Sequence, residues 1–264
     1  NDVLFFVDNK GIEGTKTQSS TPKKNVYGGF NQNDYFLLKE MLLKQKLVIG
    51  EYNFISYPTE ELVRYNTEQF LDIYSLGWVG KYFNNLSKDK VSEFLSNSWF
   101  DIFKQSYSSD WDFNGPGIVL INSSQYRIIV LPAEKYMIAE FPDVNTSPEN
   151  AGKYGLPLKA AFSGWFDIAY QGKNKVISSI NLNLNQEGID VLNRNGIKSE
   201  FPAVIESSGK KFYYMAGDFS KSNVSLLNSR LGYLSSILRN TVKGKTEDPD
   251  KFFKVYYNFL LSGI

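Results

Sequence analysis

Four acidic residues stand at or near the ends of apolar, strand-like runs. Asp8 follows Val3-Leu4-Phe5-Phe6-Val7, and Glu51, with Tyr52 and Asn53 beside it, closes Leu47-Val48-Ile49-Gly50. Asp167 ends Gly164-Trp165-Phe166, and Asp218 lies between Gly217 and Phe219 after Phe212-Tyr213-Tyr214-Met215. In open α/β sheets ligands bind beyond the carboxyl ends of the strands, so acids placed there are candidates for a cleft. Two carboxylates whose surroundings split their pKa values can act as an acid–base pair, the arrangement used in glycoside hydrolysis. Glu51 with Asp167 or Asp218 is the pair the spacing offers as catalytic. A carboxylate closing a strand can equally be absorbed in a cap or a loop bond. A second cluster, Gly77-Trp78-Val79-Gly80-Lys81-Tyr82-Phe83, reads as a glycine-bent interruption between helices. There Trp78, Lys81 and Tyr82 would line a pocket wall, with aromatic faces suited to stacking on sugar rings. Asp8, Tyr52, Asn53, Trp165 and Phe219 complete the candidate ligand-binding set.

What the chain lacks narrows the chemistry further. It contains no cysteine and no histidine. Disulfides, thiolate nucleophiles, Cys- or His-ligated metals and Ser-His-Asp triads are therefore excluded. Neither a Gly-x-x-x-x-Gly-Lys-Ser/Thr loop nor a Gly-x-Gly-x-x-Gly turn opens a helix, so no nucleotide cofactor is indicated. The Asp-x-Asp-x-Asp-Gly pattern of a calcium loop is also missing, and no metal is expected. Basic and acidic residues number 29 and 28, which supplies no basic face for nucleic acid or an anionic membrane. No apolar stretch reaches the roughly 18 residues of a membrane span. A small polar ligand or glycan is the expected partner. Freedom from cysteine suits an oxidising compartment and favours an extracytoplasmic, cell-envelope setting over the cytoplasm. The abrupt start in a strand leads us to expect an upstream anchor or further segments.

The elements that would position these residues can be read from periodicity. Runs at 3–8 and 47–52 are buried strands, and Tyr35, Leu38, Met41 and Leu42 between them mark an amphipathic helix. Strand, helix, strand in some fifty residues is a βαβ unit, which predicts a parallel pair. Residues 9–31, rich in Gly, Ser, Thr and Lys, form a long loop. Ser56-Tyr57-Pro58-Thr59-Glu60 offers hydroxyl caps and an early proline for a helix reaching about Ile73. Another helix is expected over 89–106. The turn Asn114-Gly115-Pro116-Gly117 opens a hairpin of 118–121 with 127–131. Residues 143–155 read as a loop, 164–170 and 175–184 as strands, and Asn185 to Gly196 as a capped short helix. Strands at 201–205 and 211–217 precede helices at 226–238 and 250–261.

Tyr27-Gly28-Gly29-Phe30, the following helix, Leu47-Val48-Ile49-Gly50-Glu51-Tyr52-Asn53 and Pro58-Thr59 together resemble the class I glutamine-amidotransferase-like fold, a flavodoxin-like α/β sandwich. Gly77–Phe83, Gly115-Pro116-Gly117-Ile118-Val119, Trp165-Phe166-Asp167, Phe201-Pro202-Ala203-Val204 and Ala216-Gly217-Asp218-Phe219 add a likeness to a bacterial family of that fold. The resemblance spans most of the chain. It implies an α/β domain over residues 1–264 with a mainly parallel sheet between helices and an antiparallel insertion at roughly 114–184. True amidotransferases use a Cys-His-Glu triad, so the resemblance carries no catalytic residue over and implies a fold without that activity. Three readings follow: a ligand- or glycan-binding domain, a carboxylate-dependent hydrolase, or a protein-interaction module.

Overall fold

The computed structural model describes residues 3–6, 29–52, 54–55, 59–219, 256–257 and 260–264. Asp8, Asn53, the loop up to Gly28, the helix-start residues 56–58, the helix expected at 226–238 and most of that at 250–261 lie outside the described residues.

The expected βαβ unit is present. Strand β1 (Val3–Phe6), helix α1 (Gln32–Leu43) and strand β2 (Leu47–Glu51) follow one another, and β1 pairs with β2 in parallel. Asn31 caps α1 by accepting from Asn33 and Asp34 backbone N–H groups, and the Asp34 carboxylate accepts from Asn31 N–H in return. That reciprocal box satisfies donors the first helical turn leaves open. Helix α2 (Glu61–Leu71) starts differently from the sequence expectation. Its cap is Glu60 without a side-chain bond, while the Thr59 hydroxyl accepts from Phe30 N–H at 3.0 Å and ties the helix start to the chain before α1.

The seven-stranded sheet departs most from expectation. Its order is β1, β2, β11 (Phe212–Met215), β10 (Glu200–Glu206), β9 (Lys175–Asn181), β6 (Asp143–Thr146) and β7 (Lys159–Ala161). Among the described residues, only β1–β2 and β2–β11 of this sheet are parallel, and its other pairings are antiparallel. The sheet is thus mixed, not mainly parallel. The short connection between β10 and β11 leaves no room for the crossover a parallel pair needs. Residues 143–155, read as a loop, are instead β6 followed by helix α6 (Pro148–Tyr154). Ser147 caps that helix and Gly155 closes it at φ +66°.

A second, four-stranded antiparallel sheet has the order β5 (Arg127–Pro132), β4 (Gly117–Asn122), β3 (Tyr74–Phe83) and β8 (Trp165–Tyr170). The expected hairpin is β4–β5. The cluster read as a bend between helices is β3, a ten-residue strand. Its glycines serve the sheet. Gly77, at φ +74°, sits in the register shift between Ser75 and Val79, the position of a bulge. Gly80 lies opposite Phe166, where an added Cβ would come within 2.5 Å of that ring and 2.6 Å of Leu120. Replacing Gly80 with alanine is expected to cost about 1–3 kcal/mol through overpacking, measurable as a lowered urea midpoint. An unchanged midpoint would mean the Phe166 ring has room to shift.

Among the described residues, three hydrophobic cores hold these layers. The largest joins the two sheets, with Ile49, Val204 and Met215 from one and Trp78, Ile118, Leu120 and Phe166 from the other. A second lies where α1 and α2 cover β1, β2 and β11. A third fills the outer face of the four-stranded sheet under α3 (Lys88–Ser92) and α4 (Asn97–Tyr107), which occupy the stretch expected to be one helix. Asn185 accepts from Gly188 N–H to cap α7 (Gln186–Asn193), and Gly196 follows at φ +71°, as the sequence predicts. Among the described residues, no helix is long and apolar enough to cross a membrane.

Candidate functional site

The two sheets meet at one seam. Beyond the end of β11, Gly217 bridges to Phe166 of β8 in antiparallel fashion. Asp167 N–H donates to the Ala216 carbonyl and Asp218 N–H donates to the Trp165 carbonyl, each at 2.8 Å. Met215 is in register with Glu51 of β2. Consequently Glu51, Asp167 and Asp218, far apart in sequence, lie on neighbouring backbone segments at the carboxyl ends of β2 and β11. All three are buried.

Backbone proximity does not make them face one another. Side chains alternate across a strand, so the pairings assign each residue to a face. Ile49 and Met215 belong to the inter-sheet core, and Glu51 shares their face. There Tyr257 donates to Glu51 Oε1 at 2.6 Å. Burial, then the Glu51 charge and this bond, hold the Tyr257 hydroxyl far above the ordinary tyrosine range. Phe219 is on that side too, fully buried with its ring 5.8 Å from Tyr257 and 6.3 Å from Tyr256.

Tyr214, Ala216 and Asp218 point the other way. Ala216 lies opposite Asp167 and Asp218 opposite Trp165, so Asp167, Trp165 and Asp218 share one face with Tyr214. The Tyr214 hydroxyl donates to Asp167 Oδ2. Complete burial is the main cause that raises the Tyr214 pKa well above its ordinary value, reinforced by the Asp167 charge and hydrogen bond. Tyr52, one residue after Glu51, stacks on Trp165 with centroids 6.3 Å apart and planes at 27°. Lys81 is the cross-strand partner of Trp165 on β3 and faces the same way. Its ammonium lies 4.9 Å from the Phe94 ring centroid, 5.6 Å from Trp165 and 5.8 Å from Phe83.

The sequence-predicted residues therefore divide into two groups. Asp167, Asp218, Trp165, Tyr52 and Lys81 come together on one face at the seam. Glu51 and Phe219 lie on the opposite face, inside the inter-sheet core. Trp78 and Tyr82 are also core residues, because alternation along β3 turns them away from Lys81. The pocket wall of Trp78, Lys81 and Tyr82 does not form, since a strand cannot present consecutive-parity positions on one side. Tyr214 and Tyr257, which hold the Asp167 and Glu51 carboxylates, escaped the sequence reading. The spacing Tyr214, Ala216, Asp218 is the signal that could have found Tyr214, since period two places it beside Asp218. Among the described residues, no group of acids is disposed to hold a metal ion.

Chemically, the seam face combines carboxylate acceptors, an aromatic stack and a cation. Asp167, fixed by Tyr214, is the deepest acceptor. Asp218, Trp165 and Lys81 lie in a row across three strands, with Trp165 and Lys81 half-buried.

No protein-family model and no curated protein matches this chain. Among solved structures, a ThuA-like protein from Bacteroides uniformis aligns at a TM-score of 0.37 and 10% identity, over 94% of this chain and 73% of that one. A likeness that loose carries no assignment of fold or activity.

Proposed function

We propose that this chain is a ligand-binding α/β domain whose site is the seam face of Asp167, Asp218, Trp165, Tyr52 and Lys81, and that it takes a small polyhydroxylated molecule, a glycan unit foremost. The observation that carries this reading is the convergence of two carboxylates and a stacked Trp–Tyr pair on one face at the carboxyl ends of parallel strands. Ligands of α/β sheets bind at that edge. Carboxylates accept hydrogen bonds from sugar hydroxyls, each contributing about 1.5–3 kcal/mol when the acceptor is charged. An aromatic face such as Trp165 buries the apolar side of a sugar ring. The amidotransferase-like parentage belongs to the same proposal. It is supported by the parallel β1–β2–β11 core and the strand-end site, and a chain without Cys or His would keep that scaffold without the triad.

Calorimetric titration with neutral monosaccharides and disaccharides tests the reading. Trp165→Ala and Asp218→Asn are each expected to weaken a detected sugar at least about tenfold, the effect of losing one charge-assisted bond or one stacking face. Binding that survives both substitutions would place the site elsewhere.

A hydrolytic reading is favoured by one observation: Asp167 and Asp218 stand on paired segments, Asp167 N–H bonded to the Ala216 carbonyl and Asp218 N–H to the Trp165 carbonyl, which makes the two carboxylates candidates for a pair. Carboxyl separations of roughly 6.5–9.5 Å suit inverting glycoside hydrolysis. Release of a chromogenic aglycone, abolished by Asp218→Asn, would support it. Glu51 plays no part in that pair, because the sheet separates it from Asp167.

A further inference from the structure

We infer that Asn114 is a site of spontaneous covalent modification, converted in the folded chain to aspartate and isoaspartate through a cyclic imide with Gly115. The inference goes beyond the seam face and stands independently of it. Asparagine is followed by glycine at two places, Asn114-Gly115 and Asn195-Gly196. Both glycines have a positive φ, +76° at Gly115 and +71° at Gly196, and a Cβ added to either would meet nothing within 4 Å. Neither glycine carries a side chain to shield its backbone nitrogen. The asparagine amide carbon and the next backbone nitrogen are only a few bonds apart, so the rate depends on whether both are free to meet.

At Asn195 the reacting groups are tied. Its Nδ2 donates to the Val191 carbonyl at 2.8 Å, and its Oδ1 accepts from the Arg127 guanidinium. Gly196 N–H donates to the Asn193 carbonyl at 3.0 Å. These bonds must break before the Asn195 amide can turn onto the Gly196 nitrogen. Asn114 is exposed, and among the described residues neither its side chain nor Gly115 N–H makes a hydrogen bond. At this open site the Gly115 nitrogen gives up its proton to solvent base and attacks Asn114 Cγ. The Cγ–Nδ2 bond breaks, and Nδ2 takes back a proton and leaves as ammonia. Water then opens the imide at either carbonyl, giving aspartate or isoaspartate. The product carries a new negative charge in the turn that opens β4. Isoaspartate also lengthens a backbone held there by Leu86 N–H, which donates to the Gly115 carbonyl at 2.7 Å.

Peptide mapping by mass spectrometry tests the inference on the whole chain, held at mildly alkaline pH with and without urea. The native chain is expected to convert Asn114 at least about tenfold faster than Asn195, because the bonds that hold Asn195 must open first. The Asn114 peptide should gain the mass of an acid in place of an amide and separate into aspartyl and isoaspartyl forms. Urea should bring the two rates together by raising that of Asn195. Asn114→Gln should remove the modified species while leaving the far-ultraviolet circular dichroism unchanged. Conversion of Asn195 as fast as Asn114 in the native chain would overturn the inference. So would an Asn114 that stays an amide until urea is added.

Discussion

Phe166→Ala is expected to lower the unfolding free energy by about 3–5 kcal/mol, the range for truncating a fully buried phenylalanine. Phe166 is fully buried, lies across Gly80, and has its ring 5.4 Å from Phe201 and 6.5 Å from Phe162. Gly80 has no side chain to fill the space, so removing the ring leaves a cavity in the inter-sheet core. The same residue bridges β8 to the segment after β11, at Gly217. A loosened Phe166 should therefore disturb the relative placement of Asp167 and Asp218 as well as stability. Urea unfolding followed by tryptophan fluorescence measures the first effect, and sugar titration of the folded variant measures the second. A loss under about 1 kcal/mol would mean that the inter-sheet core collapses readily around the vacancy.

Alkaline pH should unfold the protein steeply above pH 10. Several tyrosines are buried with their hydroxyl pKa raised above the ordinary value of 10.0. Burial pushes Tyr256 up to about 12, against smaller opposing contributions from Ser178 and Thr146. Burial, with the Glu140 charge adding to it, pushes Tyr82 up to about 12. In the unfolded chain these groups ionise near pH 10, while in the folded chain they stay protonated. Their contribution is thus complete below pH 10 and is lost as pH rises through the folded values near 12. For fully buried Tyr256, two pH units correspond to about 2–3 kcal/mol. Tyr214 and Tyr257 shift in the same direction because burial, reinforced by a facing carboxylate, disfavours the phenolate. Stability measured by urea titration at pH 8, 10, 11 and 12 should be flat to pH 10 and then fall. Tyr256→Phe should flatten part of that fall. A curve that stays level to pH 12 would show that these hydroxyls reach solvent in the native state.

Much of the local structure was legible in the sequence because local rules decide it. The apolar runs at 3–6 and 47–51 with an amphipathic helix between them could only pack as a parallel βαβ unit. Asn185 and Gly196 bound α7 through side-chain capping and a left-handed backbone, both of which act within a few residues. The hairpin of β4 and β5 followed from two apolar runs around a polar tip. Residues 77–83 went astray because glycine weakens a strand in isolation. Here Gly80 is required by an aromatic ring 86 residues away in the chain, and no local rule can see that partner.

The absence of cysteine and histidine settled by itself which catalytic machineries are closed to this chain, because a missing functional group cannot be supplied by folding. The sequence also placed acids and aromatics at strand ends, since buried strands end where the chain returns to polar residues. Which acids share a site was decided by tertiary structure alone. Glu51 and Asp167 lie on strands that flank the same stretch of chain, Met215 and Ala216, yet Glu51 turns toward Tyr257 and Asp167 toward Tyr214. A strand alternates its side chains at every residue, so a one-residue difference in register exchanges the two faces. That register is set by long-range pairing of β2, β8 and β11, which sequence periodicity within any one of them leaves undetermined.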